Sequence, residues 1–184
     1  MTSFSEIVLT GRIVERLNSM GSWCGETHIQ KSAYIAKIVE QVPLESEFIL
    51  YKHGPYSFDL SATLLDMRAQ NIVVATPQGG YGSSYSLNNG LWSAITRASG
   101  GSYDRYMESI NFVCSQFAKR KVSELERVAT AVFVRVNYSN LSPDEMRSKL
   151  MELKPHIGRT ESALAFQEAG IFFRKLDRGV SIQQ

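Results

Sequence analysis

The stretch from Tyr51 to Leu87 constrains this chain more than any other. It follows a β-prone aromatic run, Phe48 to Lys52, and passes through His53-Gly54-Pro55-Tyr56-Ser57. That segment is a turn signal, because Pro fixes φ and Gly accepts backbone shapes other residues resist. Ser57 then predicts the N-cap of a helix whose buried stripe is Leu60, Leu64 and Met67, spaced i, i+4, i+7. Asn71 is placed to end that helix in a left-handed conformation. Ile72 to Ala75 and Tyr85 to Leu87 read as two strands, joined across Thr76 to Ser83 by the composition of a flexible hairpin tip. A helix feeding a two-stranded wing is a recognition device before it is a catalytic frame.

The flanking sequence is helical. Ser3 with Glu6 and Thr27 with Gln30 have the spacing of capping boxes. The first opens a helix with Leu9, Ile13, Leu17 and Met20 on one face, ended by Gly21; the second opens one with Ile35, Ile38, Val39 and Val42, ended by Pro43. After residue 91 the pattern stays helical: Tyr103, Met107, Ile110, Cys114 and Phe117 form one stripe, and Ser123 with Glu126 boxes the start of Leu125, Val128, Val132 and Val136. Ser142-Pro143-x-Glu145 starts a helix with Met146, Leu150 and Leu153, and Thr160 starts one with Ala165, Ala169, Phe172 and Leu176. With 184 residues, one sizeable core is expected. The expected fold is α+β and mostly α-helical. Residues 1–90 form a winged-helix-like half with a small β-wing, residues 91–178 a helical extension sharing its core as one domain, and residues 179–184 a flexible tail.

Composition excludes several classes. The chain is 43% apolar and 21% charged, and no apolar run approaches the roughly 20 residues a membrane span needs. No basic segment followed by an apolar run and a small-residue cleavage site opens it. Cys24 and Cys114 are widely separated and suit a reducing compartment better than a disulfide framework, so a cytoplasmic protein is expected. Residues 1–90 carry six Lys/Arg against eight Asp/Glu, whereas residues 91–184 carry fourteen against ten. The basic surplus therefore lies outside the winged half.

No residue set specifies a reaction. Cys24 and His28 stand four apart without a second ligand pair to complete a metal site. His28, His53 and His156 lie in no nucleophile frame, and Gly79, Gly80 and Gly82 precede no phosphate-binding helix. The expectation is a protein that is not an enzyme and uses no cofactor or metal. His53, beside the Gly-Pro turn, reads first as a hydrogen-bonding turn residue, although imidazole titrates near neutrality.

DNA binding is the alternative class, since a winged helix can dock a helix in the major groove. Here the helix after Ser57 carries Asp59 and Asp66 against Arg68 alone, and the tip from Thr76 to Ser83 has no Lys or Arg. Phosphate contacts need cations, so this face is poorly equipped for a duplex. A strand between Pro43 and Tyr56 also interrupts the short turn of a helix-turn-helix. The densest basic cluster, Lys119-Arg120-Lys121 with Arg127 and Arg135, reads as a solvated helix junction.

Three segments carry a family resemblance: Ile29-Gln30-Lys31-x-x-Tyr34-Ile35; Tyr51-x-x-Gly54-Pro55-Tyr56-Ser57-x-x-Leu60; and Met67 before Asn71-Ile72-Val73. Together they resemble YwgA-like winged-helix proteins and, distantly, the Panacea domain of the SocA type; Leu153-Lys154-Pro155-His156 is similar to a segment of the same group. The resemblance implies a non-enzymatic antitoxin or phage-defence accessory protein that binds a protein partner, a toxin or defence component. This chain has Gly-Pro-Tyr-Ser where Panacea domains often carry Gly-Pro-Val. No partner-contacting residue is carried over from the family. From the residues alone, the candidate partner-binding set is Asp59, Thr63, Asp66, Gln78 and Tyr81, and the motif His53, Gly54, Pro55, Tyr56 and Ser57 is chiefly a folding device.

Overall fold

The computed structural model describes residues 2–80 and 82–179, the side chains of 175–179 excepted. The expected flexible tail from 180 onward, the Leu176 side chain and Tyr81 lie outside the described residues. Among those described, the chain is α-rich with two small antiparallel sheets, an α+β fold. No described helix is long and apolar enough to cross a membrane. Two compact units result: Met1–Ile49 with Tyr56–Arg120, and Leu50–Pro55 with Lys121–Gln184. The first unit thus continues past residue 90 to Arg120.

In the first unit, α1 (Phe4–Ser19) starts where the Ser3 hydroxyl accepts from the Glu6 N–H at 3.1 Å. The Glu6 carboxylate does not close the box. It is 3% exposed and instead accepts from the Glu45 N–H at 2.6 Å and from the Ser46 hydroxyl, because a buried carboxylate needs donors that one helix end does not supply. Val8, Leu9, Ile13, Val14 and Leu17 are fully buried on α1, and Gly21 carries the chain out at φ +73°.

The second box also fails. α2 (Glu26–Ile38) is preceded by Gly25 and has no side-chain cap, while Gln30 turns inward and is fully buried. Its carboxamide forms two 2.9 Å hydrogen bonds with Ser57, the N–H donating to Gln30 Oε1 and the C=O accepting from Gln30 Nε2. The spacing of Thr27 and Gln30 misleads because Gln30 serves a segment 27 residues away.

The expected turn lies two residues earlier than His53-Gly54-Pro55 suggests. β1 (Ile49–Tyr51) and β2 (Gly54–Tyr56) form a hairpin turned by Lys52 and His53, with Gly54 at φ +82°, a conformation that favours glycine. Pro and Tyr of the motif are thus strand residues. Ser57 then caps α3 (Phe58–Ala69) through its hydroxyl, 3.2 Å from the Leu60 N–H, and Leu60, Leu64 and Met67 are buried as their spacing predicts. Asn71 follows at φ +57°.

β3 (Val73–Pro77) and β4 (Ser83–Leu87) pair antiparallel from Val73–Leu87 to Pro77–Ser83, so the strands run further into the glycine-rich segment than expected and the tip shortens. Gly25 makes a single antiparallel bridge to Ser84, and Tyr85 donates to the Cys24 carbonyl at 2.9 Å. α4 (Asn89–Ala98), capped by Asn88, lays Trp92 on α1, where a Cβ at Gly11 would collide with the indole ring. Trp92 Nε1 donates to Glu15 at 2.9 Å. After a short 3-10 turn, α5 (Met107–Phe117) buries Ile110, Val113, Cys114 and Phe117 against α1 and α2.

In the second unit, α6 (Val122–Asn137), α7 (Pro143–Leu153) and α8 (Arg159–Gly179) pack on one another. The box at α6 sits two residues before the expected one: Lys121 N–H donates to Glu124 at 2.8 Å, and Glu126 is buried. At α7, Ser142, Pro143 and Glu145 behave as their sequence signature predicts, with the Ser142 N–H 2.8 Å from the Glu145 carboxylate. Ala165, Ala169 and Phe172 form the buried face of α8.

Because Ser57 is fully buried, replacing Gln30 with Leu strands a backbone donor and acceptor, at an expected cost of about 2–5 kcal/mol. Urea unfolding followed by circular dichroism measures it. A Gln30→Leu midpoint equal to the native one would remove the clamp as a stabilising element.

Candidate functional site

α3 has two apolar faces. The inner one is the stripe already named, joined by Thr63, which is 3% exposed. On the opposite side Phe58, Ala62, Leu65 and Ala69 recur at i, i+4, i+7 and i+11, all exposed, with Phe58 at 57% and Leu65 at 62%. Asp59 and Asp66 run along one flank between the two stripes, and Ser61 and Arg68 along the other.

The Asp59/Asp66 flank borders a groove of about 300 Å³. Its walls are Thr2, Ser3, Glu6, Glu45, Ser46, Asp59, Ala62, Thr63 and Asp66. Four carboxylates line it and no lysine or arginine does, among the described residues. Each acid is tied down. Asp59 accepts from the Glu47 N–H at 3.1 Å, and Asp66 from the Thr2 hydroxyl at 2.5 Å. Glu45 accepts from the Ser3 and Ser5 hydroxyls at 2.6 and 2.7 Å, and these donors, Ser3 first, hold its carboxyl below the ordinary carboxylate pKa. The groove is a pre-organised anionic surface.

Of the sequence-derived partner residues, Asp59, Thr63 and Asp66 are thus brought to one groove. Thr63 is corrected in part: it falls in phase with Leu60 and Met67, so its side chain is packed into a wall rather than presented. Gln78 is exposed in the β3–β4 connection, donating to Ser84 Oγ at 3.1 Å. Phe58 and Leu65 were missed, although their spacing in the sequence is as regular as that of the inner stripe. Glu6 and Glu45 carried no signal, because only folding brings α1 and the segment after α2 to α3.

The motif residues have structural partners. Tyr56 Oη donates to Glu26 at 3.0 Å and stacks edge-on with Phe58, ring centroids 5.1 Å apart, while Ser61 also donates to Glu26. Gly54, Pro55 and Ser57 are buried. In the second unit, Lys154 and Glu126 bury their side chains to 6% and 8% exposure with Nζ and Oε1 3.4 Å apart. Lys154 Nζ donates to the Tyr51 carbonyl at 2.8 Å and to the Lys52 carbonyl, stapling the hairpin turn. Glu126 also faces His53 Nδ1 at 3.4 Å and His156 Nε2 at 3.5 Å, with both imidazoles largely exposed. His53 and His156 therefore meet on Glu126. Its Oε1 makes only ion-pair contacts, without hydrogen-bond geometry.

The basic cluster is also engaged locally, Arg120 Nε donating to the Gln116 carbonyl at 2.8 Å and Arg127 pairing with Glu161 at 3.3 Å. Cys24 and Cys114 are buried free thiols, each pushed up to about 12 by desolvation, which leaves them unreactive as nucleophiles. His28 Nε2 lies 3.0 Å from the Arg120 carbonyl. Among the described residues no group of three or more His, Cys, Asp or Glu side chains is arranged to hold a metal ion, and Glu126 with its two imidazoles is no exception. Compared with known protein families and with curated proteins, the chain matches no family model and no curated protein.

Burial holds His28 below its ordinary pKa, outweighing the hydrogen bond to Arg120, so the folded state favours the neutral ring with Nε2–H donating. An unfolded histidine binds a proton near pH 6.5, so between that pH and the lower folded value the unfolded state holds more protons. Stability from His28 is therefore complete above about pH 6.5 and declines as pH falls. Urea midpoints taken from pH 7.5 to pH 5 should show a steeper acid loss in the native chain than in His28→Gln; parallel curves would contradict the assignment.

Lys154→Met leaves Glu126 a buried charge without its cation and should cost about 3–5 kcal/mol. Adding Glu126→Leu should restore part of that loss. Strictly additive urea midpoints in the double variant would show that the pair is not coupled.

Proposed function

We propose that this chain is a non-enzymatic protein-interaction module that works by binding a protein partner, in the manner of an antitoxin or a defence accessory protein. The observation that carries the reading is the outer face of α3: an exposed apolar stripe through Phe58 and Leu65, edged by a groove of four carboxylates. An apolar stripe of this kind suits helix-in-groove or groove-on-helix recognition, and the carboxylates select a partner segment with lysine or arginine beside its apolar residues. The same charges repel a phosphate backbone, which disfavours duplex binding through this helix.

The winged-helix reading belongs with this proposal. The order α1, the Gly25 bridge, α2, α3 and the β3–β4 hairpin supports it, with Gly25 adding a short third strand position beside Ser84. The β1–β2 hairpin inserted before α3 departs from a compact helix-turn-helix and favours a protein partner over a groove of DNA. Tyr56, Ser57 and Gln30 then act by positioning α3, whose outer residues make the contact.

Affinity capture from the native cell at expression level tests this, comparing the native chain with Leu65→Glu and with Asp59→Lys/Asp66→Lys. One protein should co-elute in stoichiometric amount, and each variant should reduce its retention by roughly tenfold or more while circular dichroism stays native. Equal retention by both variants would remove this face. A duplex gel shift that weakens steeply between about 50 and 200 mM salt would favour the DNA-binding alternative instead.

A further inference from the structure

A second concave site lies within the helical unit, independent of the α3 face. The last turn of α6, the connection to α7, the first turns of α7 and the outer side of α8 line an open cavity of about 430 Å³. That volume falls in the range of small-molecule sites. Its lining residues are the apolar Leu141, Pro143, Met146 and Phe166 and the polar Ser139, Arg135 and Arg147. No carboxylate is among its described lining residues.

The two arginines differ in how they are held. Arg135 sits over the Phe173 ring, 4.1 Å from guanidinium carbon to centroid, and no described carboxylate pairs with it. Contact with a ring face holds a guanidinium in place while leaving N–H groups to donate. Arg147 pairs with Asp144 one turn back on α7, but Asp144 is 88% exposed, and such solvated pairs hold weakly enough to exchange. The N-terminus of α7 is already satisfied by the Ser142–Glu145 box, so the anion attraction here comes from the arginines. Asp144 and Glu145 are the opposing charges on that turn. Two arginines and four apolar residues around one cavity match a carboxylate carried on an apolar group, since arginine binds carboxylate oxygens through paired N–H donors.

We propose that this cavity binds a small organic acid, its carboxylate held by Arg135 and Arg147 and its apolar part by Leu141, Met146 and Phe166. The probe is 4-phenylbutanoate, titrated into the full chain and followed by amide NMR shifts and calorimetry, with 4-phenylbutan-1-ol and 4-phenylbutylamine as isosteric controls. Saturable binding with shifts confined to Ser139–Arg147 and the neighbourhood of Phe166 is expected. Both controls and the variants Arg147→Gln and Arg135→Gln should bind at least about tenfold more weakly, the scale of a lost charge-assisted hydrogen bond. Arg147→Lys, which keeps the charge but not the fork, should fall between. Arg147 is partly exposed, so its variants should fold even where Arg135→Gln does not. Failure to saturate by about 10 mM, equal binding of the alcohol, shifts centred elsewhere, or native affinity in Arg147→Gln would each overturn the proposal.

Discussion

The face that α3 presents depends on two hydrogen bonds between the Gln30 carboxamide and the backbone of Ser57. Ser57 is the last residue before the helix, so fixing its N–H and C=O fixes the direction in which α3 leaves the hairpin. A glutamine side chain offers one donor edge and one acceptor, which is what a single extended residue requires from a partner. Since both groups are buried, the alternative to this pairing is two unsatisfied polar atoms, and the register of α3 is correspondingly well specified. Everything argued about the outer stripe follows from that register: a rotation of α3 by one residue would bury Asp59 and expose Leu64.

The hairpin before α3 is constrained a second time in the helical unit, where Lys154 caps the Tyr51 and Lys52 carbonyls and its charge is balanced by Glu126. A buried ion pair contributes little net stability, but it penalises arrangements in which either partner is left alone. Tyr51 and Lys52 are thereby held against Lys154 for a structural reason. Gly54 belongs to the same device, because its left-handed backbone closes the turn that presents those two carbonyls.

Much of the fold is legible in the residues. The inner stripe of α3, the Ser57 cap, the Asn71 stop and the Ser142-Pro143-x-Glu145 start all behave as their spacing predicts, because each depends on neighbours within one or two helical turns. The two boxes at Ser3 and Thr27 misread Glu6 and Gln30 for a common reason. Both side chains had a local use suggested by spacing, and both were taken by a distant backbone segment that needed them more, the Glu45–Ser46 chain and Ser57. Glu126 repeats the lesson, drawn from an apparent cap to the cation on Lys154. Spacing reports what a side chain can reach along its own helix, and says nothing about competitors arriving from elsewhere.

The candidate site divides in the same way. The acidity of α3, the absence of lysine and arginine from the wing tip and the outer face shared by Phe58 and Leu65 are all written in one continuous segment and can be read from it alone. Folding alone brings Glu6 and Glu45 to Asp59 and Asp66 around one groove, packs Thr63 into its wall, and sets Arg135 and Arg147 in the lining of a common cavity. Glu6, Glu45 and Asp59 lie tens of residues apart, and Arg135 and Arg147 on two different helices, so the free energy that gathers them lies in buried apolar surface and long-range hydrogen bonds rather than in local spacing.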